Sequence, residues 1–417
     1  MSDWNHMLDL TALRRCRAWV EIDLAALSHN VRTFKQRLSP GVDLLAVVKA
    51  DAYGHGAVMV ARTALAAGAN WLGVATVPEG VELRQAGMTS PIMVMGAVND
   101  PAEMGAMAVH QLQPTITSPD QALRLSEALS QLRGLPQGSA LPVHIMLDTG
   151  MSRLGMPWQQ AVTFVQRVSQ LTPLHIASVY SHLANADEPN PDSLWQQQQR
   201  FEQALAALRQ ANVLPPVQHL ANTAATLIDP KLHYDRVRVG LGLYGLSPAP
   251  HLQPLVNLKP VLQVKARITH IKPIEAGAGV SYGHRFVAPH PMRIAVVGIG
   301  YADGVPRRLS NRLHVLLAGQ RVRQLGAITM DQLMVDVTEQ PDVRVGDTVT
   351  LLGHSQGDRV SDTITADDWA SAIETISWEI LSGFKHRLPR LIVDGRASAQ
   401  RVGPGLPSSA LYSETQH

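Results

Sequence analysis

The chain has little cysteine, little charge imbalance and no long apolar run. Its 417 residues include a single cysteine, Cys16, and 36 basic against 34 acidic residues, for a formal net charge of +2. One cysteine forms neither an internal disulfide nor a thiolate metal cage, and so small a charge excess attracts neither nucleic acid nor an anionic membrane. No window reaches the roughly 18 apolar residues of a membrane helix, and residues 1–17 lack the apolar core of a signal peptide. We therefore predict a soluble cytoplasmic protein.

Signals for metal catalysis are missing as well. The 17 histidines include no H-E-x-x-H motif, and His182, His219 and His284 are scattered along the chain. The sequence also contains no internal repeat and no low-complexity tract. We predict that the protein binds no metal, no nucleic acid and no membrane.

What the sequence does contain is an alternation of short apolar runs and helical patterns over about the first 250 residues, the usual length of a (β/α)8 barrel. Asp23 is placed to cap the first helix. A TIM-type barrel is the predicted architecture, and a doubly wound sheet of the same elements is the alternative. The apolar runs lie at 17–22, 43–49, 71–75, 92–95, 113–116, 143–147, 176–180, 218–220 and 236–239.

The sequence changes character after a Pro-rich stretch at 248–254, where we predict a domain boundary. Later β-type segments at 263–271, 292–298, 314–317, 333–337 and 348–352, with one helix at 366–375, predict a mainly antiparallel β-domain. The predicted domains are a barrel over 18–257 and a β-domain over 258–395. Residues 1–17 are expected to pack with the β-domain, and residues 396–417 are expected to form a flexible tail.

A lysine closes the second apolar run, in the segment VVKADAYGHG at 47–56. In a barrel, this position puts Lys49 at the C-terminal rim, where barrel active sites lie. A lysine with a buried stem can lose its proton and act as a nucleophile. From the pattern alone, a rim lysine that extends to water is the simpler explanation, although Tyr53 and His55 in the same loop favour a site.

A glycine motif at 240–245, GLGLYG, offers a different function. It satisfies the G-x-G-x-x-G pattern of dinucleotide-binding folds, which would make the protein a nicotinamide dehydrogenase. That motif requires a helix to begin at its third glycine. Pro248, Pro250 and Pro254 follow instead, so the required helix is not predicted.

The lysine segment resembles the cofactor-lysine motif of the alanine racemases. Further similar motifs occur in the family's order, so the resemblance spans residues 18 to 395 and implies a barrel followed by a β-domain. It also implies racemisation of L- and D-alanine with pyridoxal 5'-phosphate as the cofactor. The motifs are LDTGMSRLG (147–155), SHLANAD (181–187), HLANTAAT (219–226), VRVGLGLYG (237–245), VSYGHRF (280–286), GIGYADG (298–304), TMDQLMVDV (329–337) and HRLPR (386–390).

The resemblance implies a two-base mechanism. Lys49 would hold the cofactor and act as the base on one face of the substrate, and Tyr282 would act on the other face, with His182 beside it. Arg238 would face the pyridine nitrogen of the cofactor. An arginine is always protonated and cannot accept a proton, so the ring would remain a weaker electron sink, which disfavours transamination. Arg236, two residues earlier on the same strand face, is the competing candidate.

The resemblance assigns the remaining contacts as well. Tyr282 and Met330 would reach the barrel of the other subunit, which implies a homodimer with shared active sites. The implied cofactor contacts are Lys49, Tyr53, Arg153, His182, Asn222, Thr223, Arg238, Gly240, Leu241 and Trp378. The implied substrate contacts are Arg153, Met330, Asp331 and Tyr301.

Two positions depart from the family pattern. Met146 stands where some racemases have a carbamylated lysine, so Arg153 lacks that anion unless chloride or another group replaces it. Trp378 stands where the family often has tyrosine, and its indole can only donate one hydrogen bond.

Because of these departures, a serine-type or broader amino-acid racemase is an alternative function. So is a pyridoxal-phosphate decarboxylase of the same barrel type, although its Gly-rich phosphate loop is missing. A non-enzymatic, barrel-only cofactor-binding protein would lack the second domain.

Overall fold

The structure is a computed structural model that describes residues 17–132, 140–357 and 361–393. The expectations for residues 1–16 and for the tail at 396–417 lie outside these ranges.

The strands of the first 240 residues are β1 (Ala18–Asp23), β2 (Asp43–Val47), β3 (Trp71–Val74), β4 (Ile92–Val94), β5 (Leu112–Ile116), β6 (Leu141–Asp148), β7 (Met156–Pro157), β8 (Leu174–Tyr180), β9 (Val217–His219) and β10 (Arg236–Val239).

Eight of these strands form a parallel barrel in the order β10-β2-β3-β4-β5-β6-β8-β9, and the short β7 pairs with β6. The two ends of this order meet through backbone hydrogen bonds. The Asp235 amide donates to the Gln218 carbonyl at 3.0 Å, and the Arg238 amide donates to the Ala221 carbonyl at 2.9 Å. The predicted TIM-type barrel is therefore confirmed, and the doubly wound alternative is wrong.

Burial and capping explain these elements. In β2, residues 44–47 are all buried, as expected for a parallel strand covered on both sides. The Asp23 carboxylate accepts from the Ala26 amide at 2.8 Å and caps the first helix, as predicted. The helices of the barrel are Leu24–Arg37, Ala57–Ala66, Val77–Gln85, Pro101–Val109, Pro119–Gln131, Ala161–Ser169, Asp192–Gln210 and Thr223–Ile228.

The glycine motif opens a 3-10 turn, Leu241–Tyr244, which ends at Gly245. Dinucleotide-binding motifs need the N-terminus of a longer α-helix at this point. The dehydrogenase interpretation therefore lacks its structural basis.

The strands of the second domain are β11 (Leu262–Ile274), β12 (Gly279–Val280), β13 (Phe286–Val287), β14 (Met292–Val297), β15 (His314–Leu317), β16 (Gln320–Leu325), β17 (Leu333–Asp336), β18 (Thr348–Gln356), β19 (Ser361–Ile364) and β20 (Arg390–Val393). They form a mainly antiparallel sheet with the strand order β19-β18-β15-β16-β17-β14-β11-β1-β20. Strand β11 also pairs with β18, which curls the sheet. A separate hairpin pairs β12 with β13, and the helices are Ala366–Ile373 and Ser377–Ser382.

Strand β1 corrects one prediction. The apolar run at 17–22 was expected to open the barrel, but β1 pairs antiparallel with β11 and parallel with β20. A buried apolar strand has the same pattern in either sheet, and nine runs had been predicted for eight barrel positions. Arg17 also joins the second domain, since its guanidinium binds the Asp303 carboxylate at 2.8 and 2.6 Å. We therefore propose that residues 17–23 belong with the β-domain and that the barrel domain covers 24–257.

One large core runs through both domains, and a small separate core of Val280, Ala288, Met292, Ile294 and Leu325 lies under the β12–β13 hairpin.

Within the described ranges, no helix is both long and apolar enough to cross a membrane. No group of three metal-ligating side chains occurs in the same ranges.

Gly245 gives a stability test at the junction of the two domains. Its φ is +89°, and a Cβ there would lie 2.0 Å from the Lys259 carbonyl oxygen. Gly87 has a similar φ of +84° but open space around it. We expect Gly87→Ala to lower the free energy of unfolding by about 1–2 kcal/mol, because of its left-handed backbone alone. Gly245→Ala should lower it several-fold more, because backbone atoms block the methyl group. Urea denaturation of both variants measures the difference, and equal losses would show that the contact is unimportant.

Candidate active site

A cavity of about 680 Å³ opens at the carboxyl ends of the barrel strands, which is where barrel active sites lie. It brings together all the residues that the sequence places on the cofactor. These are Lys49, Tyr53, Arg153, His182, Asn222, Thr223, Arg238, Gly240, Leu241 and Trp378.

Lys49 begins an unusual turn, Lys49–Gly54. The next four residues, at 50–53, have φ between +51° and +55°, so the turn is left-handed. Non-glycine residues adopt this conformation at a cost of about 1–2 kcal/mol each. The Glu79 carboxylate compensates by accepting from the Ala50 amide at 2.7 Å, and the Asp51 carboxylate accepts from the Ala57 amide at 2.7 Å. Such strain is typical of functional sites.

The amine of Lys49 has a lowered pKa. Burial is the largest cause, the positive charge of Arg153 adds to it, and Glu79 opposes it. A lowered pKa increases the fraction of neutral amine, which is the form that acts as a nucleophile or accepts a proton.

Arg238 lies on strand β10 and is 4% exposed. Its guanidinium donates to the Ser181 carbonyl at 2.8 Å, the Leu220 carbonyl at 3.0 Å, His219 Nδ1 at 2.9 Å and His182 Nδ1 at 3.2 Å. Burial lowers its pKa to about 10, so the group is still a cation at neutral pH. Because a guanidinium can only donate, both histidine Nδ1 atoms must be acceptors.

The acceptor role of His219 sets the direction of a longer chain. Its Nε2 lies 3.0 Å from Ser178 Oγ, which lies 2.6 Å from His144 Nδ1, and His144 Nε2 lies 3.0 Å from Gln113 Oε1. Starting from Arg238, each group donates to the next. Burial lowers the pKa of His144 to about 3 and that of His219 well below its usual value. The barrel interior therefore contains neutral histidines with defined tautomers.

Glycine is required at position 240. A Cβ there would lie 2.6 Å from the Tyr53 hydroxyl, and the Gly240 amide donates to Thr223 Oγ1 at 3.0 Å. Burial raises the pKa of Tyr53 to about 12, so its hydroxyl keeps its proton at neutral pH. This corner of the cavity offers uncharged donors around a bare stretch of backbone, which suits a phosphate.

Asp148 shapes the loop that carries Arg153. One of its carboxylate oxygens accepts from the amides of Gly150, Met151 and Ser152 at 2.9, 3.0 and 3.1 Å. The LDTGMSRLG motif thus folds into a turn that leaves the Arg153 side chain exposed at the cavity wall.

Gln197 fixes two of the cavity loops, and no motif predicts it. Its side-chain amide nitrogen donates to Thr149 Oγ1 and to the His182 carbonyl, each at 3.1 Å, and its oxygen accepts from the Ala184 amide at 2.8 Å.

Two further residues support the site without being predicted from the sequence. The T-V-P-E sequence at 76–79 predicts the capping box of Glu79, but it does not predict that Glu79 binds the lysine turn. His219, as the partner of Arg238, was likewise not predicted.

Four of the five predicted site residues of the second domain lie outside the barrel cavity of this chain, and Trp378 is the exception. Tyr282, Tyr301 and Met330 are 73%, 40% and 53% exposed, and the Asp331 carboxylate binds Arg387 at 2.8 Å. None of the four lines the barrel cavity. The backbones of two of their loops are joined, because the Ala302 amide donates to the Met330 carbonyl at 3.0 Å.

The turn that carries Tyr282 is strained. Ser281 has φ +64° and ψ −173°, a conformation that is essentially limited to glycine, and His284 has φ +42°. The Ser281 hydroxyl donates to the Ala327 carbonyl at 2.8 Å and helps to hold this turn. The phenol of Tyr282 lies exposed on this turn.

Both departures from the family pattern lie in the barrel cavity. Met146 is 3% exposed. It places an uncharged thioether at the position where some racemases have a carbamylated lysine. Trp378 lines the cavity from the helix Ser377–Ser382 of the second domain. Neither residue disrupts the cavity.

The fold and the cavity define a barrel enzyme with a strand-end lysine and an appended β-domain. Comparison with family models gives a match to the alanine racemase N-terminal domain over residues 22–248 and to its C-terminal domain over residues 261–392. The chain belongs to the alanine racemase family, which consists of pyridoxal-phosphate-dependent isomerases.

Known relatives agree along nearly the whole chain. The alanine racemase of Nostoc sp. is 63% identical over 375 residues, which cover 90% of this chain and 95% of that protein. The alanine racemase of Synechocystis sp. is 60% identical over 91% of this chain and 100% of that protein. Among solved structures, the alanine racemase of Clostridium difficile superposes with a TM-score of 0.85 at 32% identity, over 92% of this chain and 97% of that one.

The buried histidines predict acid sensitivity. His144 has a pKa of about 3 when folded and about 6.5 when unfolded, so between these values only the unfolded chain takes up the proton. The stabilisation is complete above pH 6.5 and is lost as the pH falls toward 3, at about 1.4 kcal/mol per pH unit. We expect His144→Gln to flatten the dependence of unfolding free energy on pH between 6 and 4 by about that slope. The exposed His175→Gln is the control. Parallel curves for His144→Gln and wild type would contradict the prediction.

Proposed function

We propose that the protein interconverts L- and D-alanine with pyridoxal 5'-phosphate held in the barrel cavity. The observation that carries this proposal is that Arg238 and Lys49 line the same barrel cavity. The side-chain partners of Arg238 are neutral histidines rather than a carboxylate. A permanent cation that can only donate leaves a pyridine nitrogen unprotonated. That condition favours racemisation over transamination.

The residues of the cavity suit this cofactor. Lys49 would hold its aldehyde carbon, Arg238 would face its ring nitrogen, and Tyr53 and Thr223 would donate to its phosphate beside the bare backbone at Gly240. The close approach of the Tyr53 hydroxyl to this glycine, where a Cβ would lie only 2.6 Å away, supports the assignment. When bound, pyridoxal phosphate withdraws electrons from the substrate α-carbon and so acidifies its proton.

Proton transfer is then the work of two side chains. The Lys49 amine, whose lowered pKa makes its neutral form accessible, takes or returns the α-proton on one side. The Tyr282 hydroxyl does so on the other. Glu79 and Asp51 hold the lysine turn, and the strained turn at Ser281 presents the phenol. When the Lys49 amine removes the α-proton from one side, the Tyr282 hydroxyl donates its proton to the other side and is left as the phenolate. The reverse direction uses that phenolate as the base and the protonated Lys49 as the acid, so the configuration of the α-carbon is inverted either way.

The substrate would be a small amino acid. Arg153 offers a cation for its carboxylate, and Met330 offers a backbone amide. The Nostoc and Synechocystis relatives support alanine, as does the Bacillus anthracis alanine racemase, which was solved with bound L-Ala-P and has a TM-score of 0.84. The alternatives are a serine-type or broader racemase and a decarboxylase of the same barrel type.

The exposure of Tyr282, Tyr301 and Met330 supports a homodimer. Large side chains that line no cavity of their own barrel are explained if they complete the barrel of a second copy. Each active site would then take Lys49 from one protomer and Tyr282 from the other.

The reaction can be tested directly. Purified protein supplied with pyridoxal phosphate is expected to convert L-alanine to D-alanine, measured by chiral chromatography, without releasing carbon dioxide. Lys49→Ala should abolish both turnover and the visible absorbance of the bound cofactor, whereas the exposed Lys231→Ala should change neither. Carbon dioxide release would identify a decarboxylase, and faster turnover of L-serine than of L-alanine would identify a serine-type racemase.

Shared active sites can be tested by complementation. Lys49→Ala and Tyr282→Phe are each expected to be inactive as homodimers. Co-expressed under different tags, they should recover about a quarter of wild-type activity, because half of random dimers are mixed and each mixed dimer has one intact site. Two differently tagged copies of Lys49→Ala form the negative control. No recovery in isolated mixed dimers would mean that both bases come from one chain.

A further inference from the structure

We propose that Arg387 is a positioning residue that holds the loop of Met330 and, through its own segment, joins that loop to the lysine turn. This inference rests on the proposed function, in which Met330 contacts the substrate carboxylate. It also revises the role implied for Asp331, whose carboxylate would act through Arg387 and not on the substrate.

Arg387 links two carboxylates that belong to different loops. Its Nη2 donates to Asp331 Oδ1 at 2.8 Å, and its Nε lies 3.2 Å from Asp303 Oδ1. Asp303 is fully buried and also binds the guanidinium of Arg17 at 2.6 Å. The four charges follow one another with alternating sign, in the order Arg17, Asp303, Arg387 and Asp331. Each charged group therefore forms an ion pair with every neighbour in this chain.

The buried end of this ion chain supports the loops at the entrance. The second Asp303 oxygen accepts from the Gly300 amide at 2.9 Å. Gly300 packs so closely that a Cβ would lie 2.4 Å from the Met330 carbonyl oxygen. The Tyr301 amide donates to the Thr329 carbonyl at 3.0 Å, beside the bond from Ala302 to Met330. If the Asp303 carboxylate moved, the Gly300 backbone would therefore move with it and would displace the Met330 carbonyl against which it packs.

The segment of Arg387 also contacts the lysine turn. Three residues later, Arg390 Nε donates to the Gly54 carbonyl at 3.1 Å. Its other nitrogens donate to the carbonyls of Phe384, Lys385 and Leu388 at 3.0, 2.7 and 2.8 Å. Arg390 thus fixes the backbone on which Arg387 is mounted and ties it to the barrel. The HRLPR motif holds the lysine turn at one end and the Met330 loop at the other.

In the proposed dimer, these two ends serve different active sites. The lysine turn belongs to the barrel of its own protomer, whereas Met330 extends to the barrel of the partner. The motif would then be a rigid connection between the two sites, and Arg387 would set the distance from Met330 to the substrate without touching it.

The test is a double-mutant cycle with Arg387→Gln and Asp331→Asn, measured as KM and kcat for L-alanine in the cofactor-loaded enzyme. We expect each change to raise KM about tenfold with a smaller effect on kcat, as for loss of a charge-assisted contact that places a binding group. The double variant should be no worse than Arg387→Gln alone, because Asp331→Asn removes a link that Arg387→Gln has already broken. Arg387→Lys should recover part of the loss.

Arg321→Gln is the matched control, since it removes a surface ion pair with Asp362 at a similar exposure in the same domain. It should leave KM unchanged. Multiplicative losses in the double variant would show that Asp331 meets the substrate itself and would overturn the proposal, as would a pure kcat effect.

Backbone hydrogen exchange gives a readout independent of turnover. Arg387→Gln should speed exchange of the amides at Tyr301 and Ala302, while those of the distant hairpin of β15 and β16 stay protected. Unchanged exchange at Tyr301 and Ala302 would refute the link. If wild-type protein racemised no amino acid, the proposed function would fail, and faster exchange alone would still support the structural connection.

Discussion

A buried guanidinium without a carboxylate partner is the constraint around which the barrel mouth is organised. Removing a cation from water costs several kcal/mol, and Arg238 recovers this through two carbonyls and two histidine nitrogens. A carboxylate would pair with it more strongly, but it would also neutralise the field in the cavity. The neutral acceptors leave a positive centre, and that centre in turn keeps the histidines unprotonated. The low pKa of His182, about 3 through burial first and Arg238 next, is a consequence of the same arrangement.

The strain at Lys49 is maintained by contacts from both domains. Glu79 binds the start of the turn from the next barrel unit. At its end, Gly54 packs against helix Ser377–Ser382, where a Cβ would lie 2.5 Å from the Leu381 carbonyl oxygen. A left-handed turn of four non-glycine residues would relax if either contact were lost, because isolated residues disfavour it. The β-domain therefore also holds the turn that carries Lys49 in its own barrel.

Local patterns in the sequence predict most of this architecture. The strand at Arg236–Val239 and the cap at Asp23 follow from apolar runs and capping chemistry that neighbouring residues determine. Strand β1 was misassigned because pairing partners more than 200 residues away decide its sheet. The site was predictable where a motif carries it, as at Lys49. Glu79 and Gln197 were not, since their partners lie on other loops and their own surroundings in sequence are those of ordinary helices.

In the proposed dimer, the division of the site between two surfaces would explain why the hairpin of Tyr282 has a core of its own. A phenol that must enter another cavity cannot be packed against its own barrel, so it needs a support that is rigid and still projects. The small core around Val280 and Met292 supplies the rigidity, and the strained backbone at Ser281 supplies the projection. Strain of this kind persists only where the surrounding structure fixes it, and the Ser281 hydroxyl bond to Ala327 does so. The same holds at Lys49, so both proposed bases are placed by backbone that would not adopt its conformation alone.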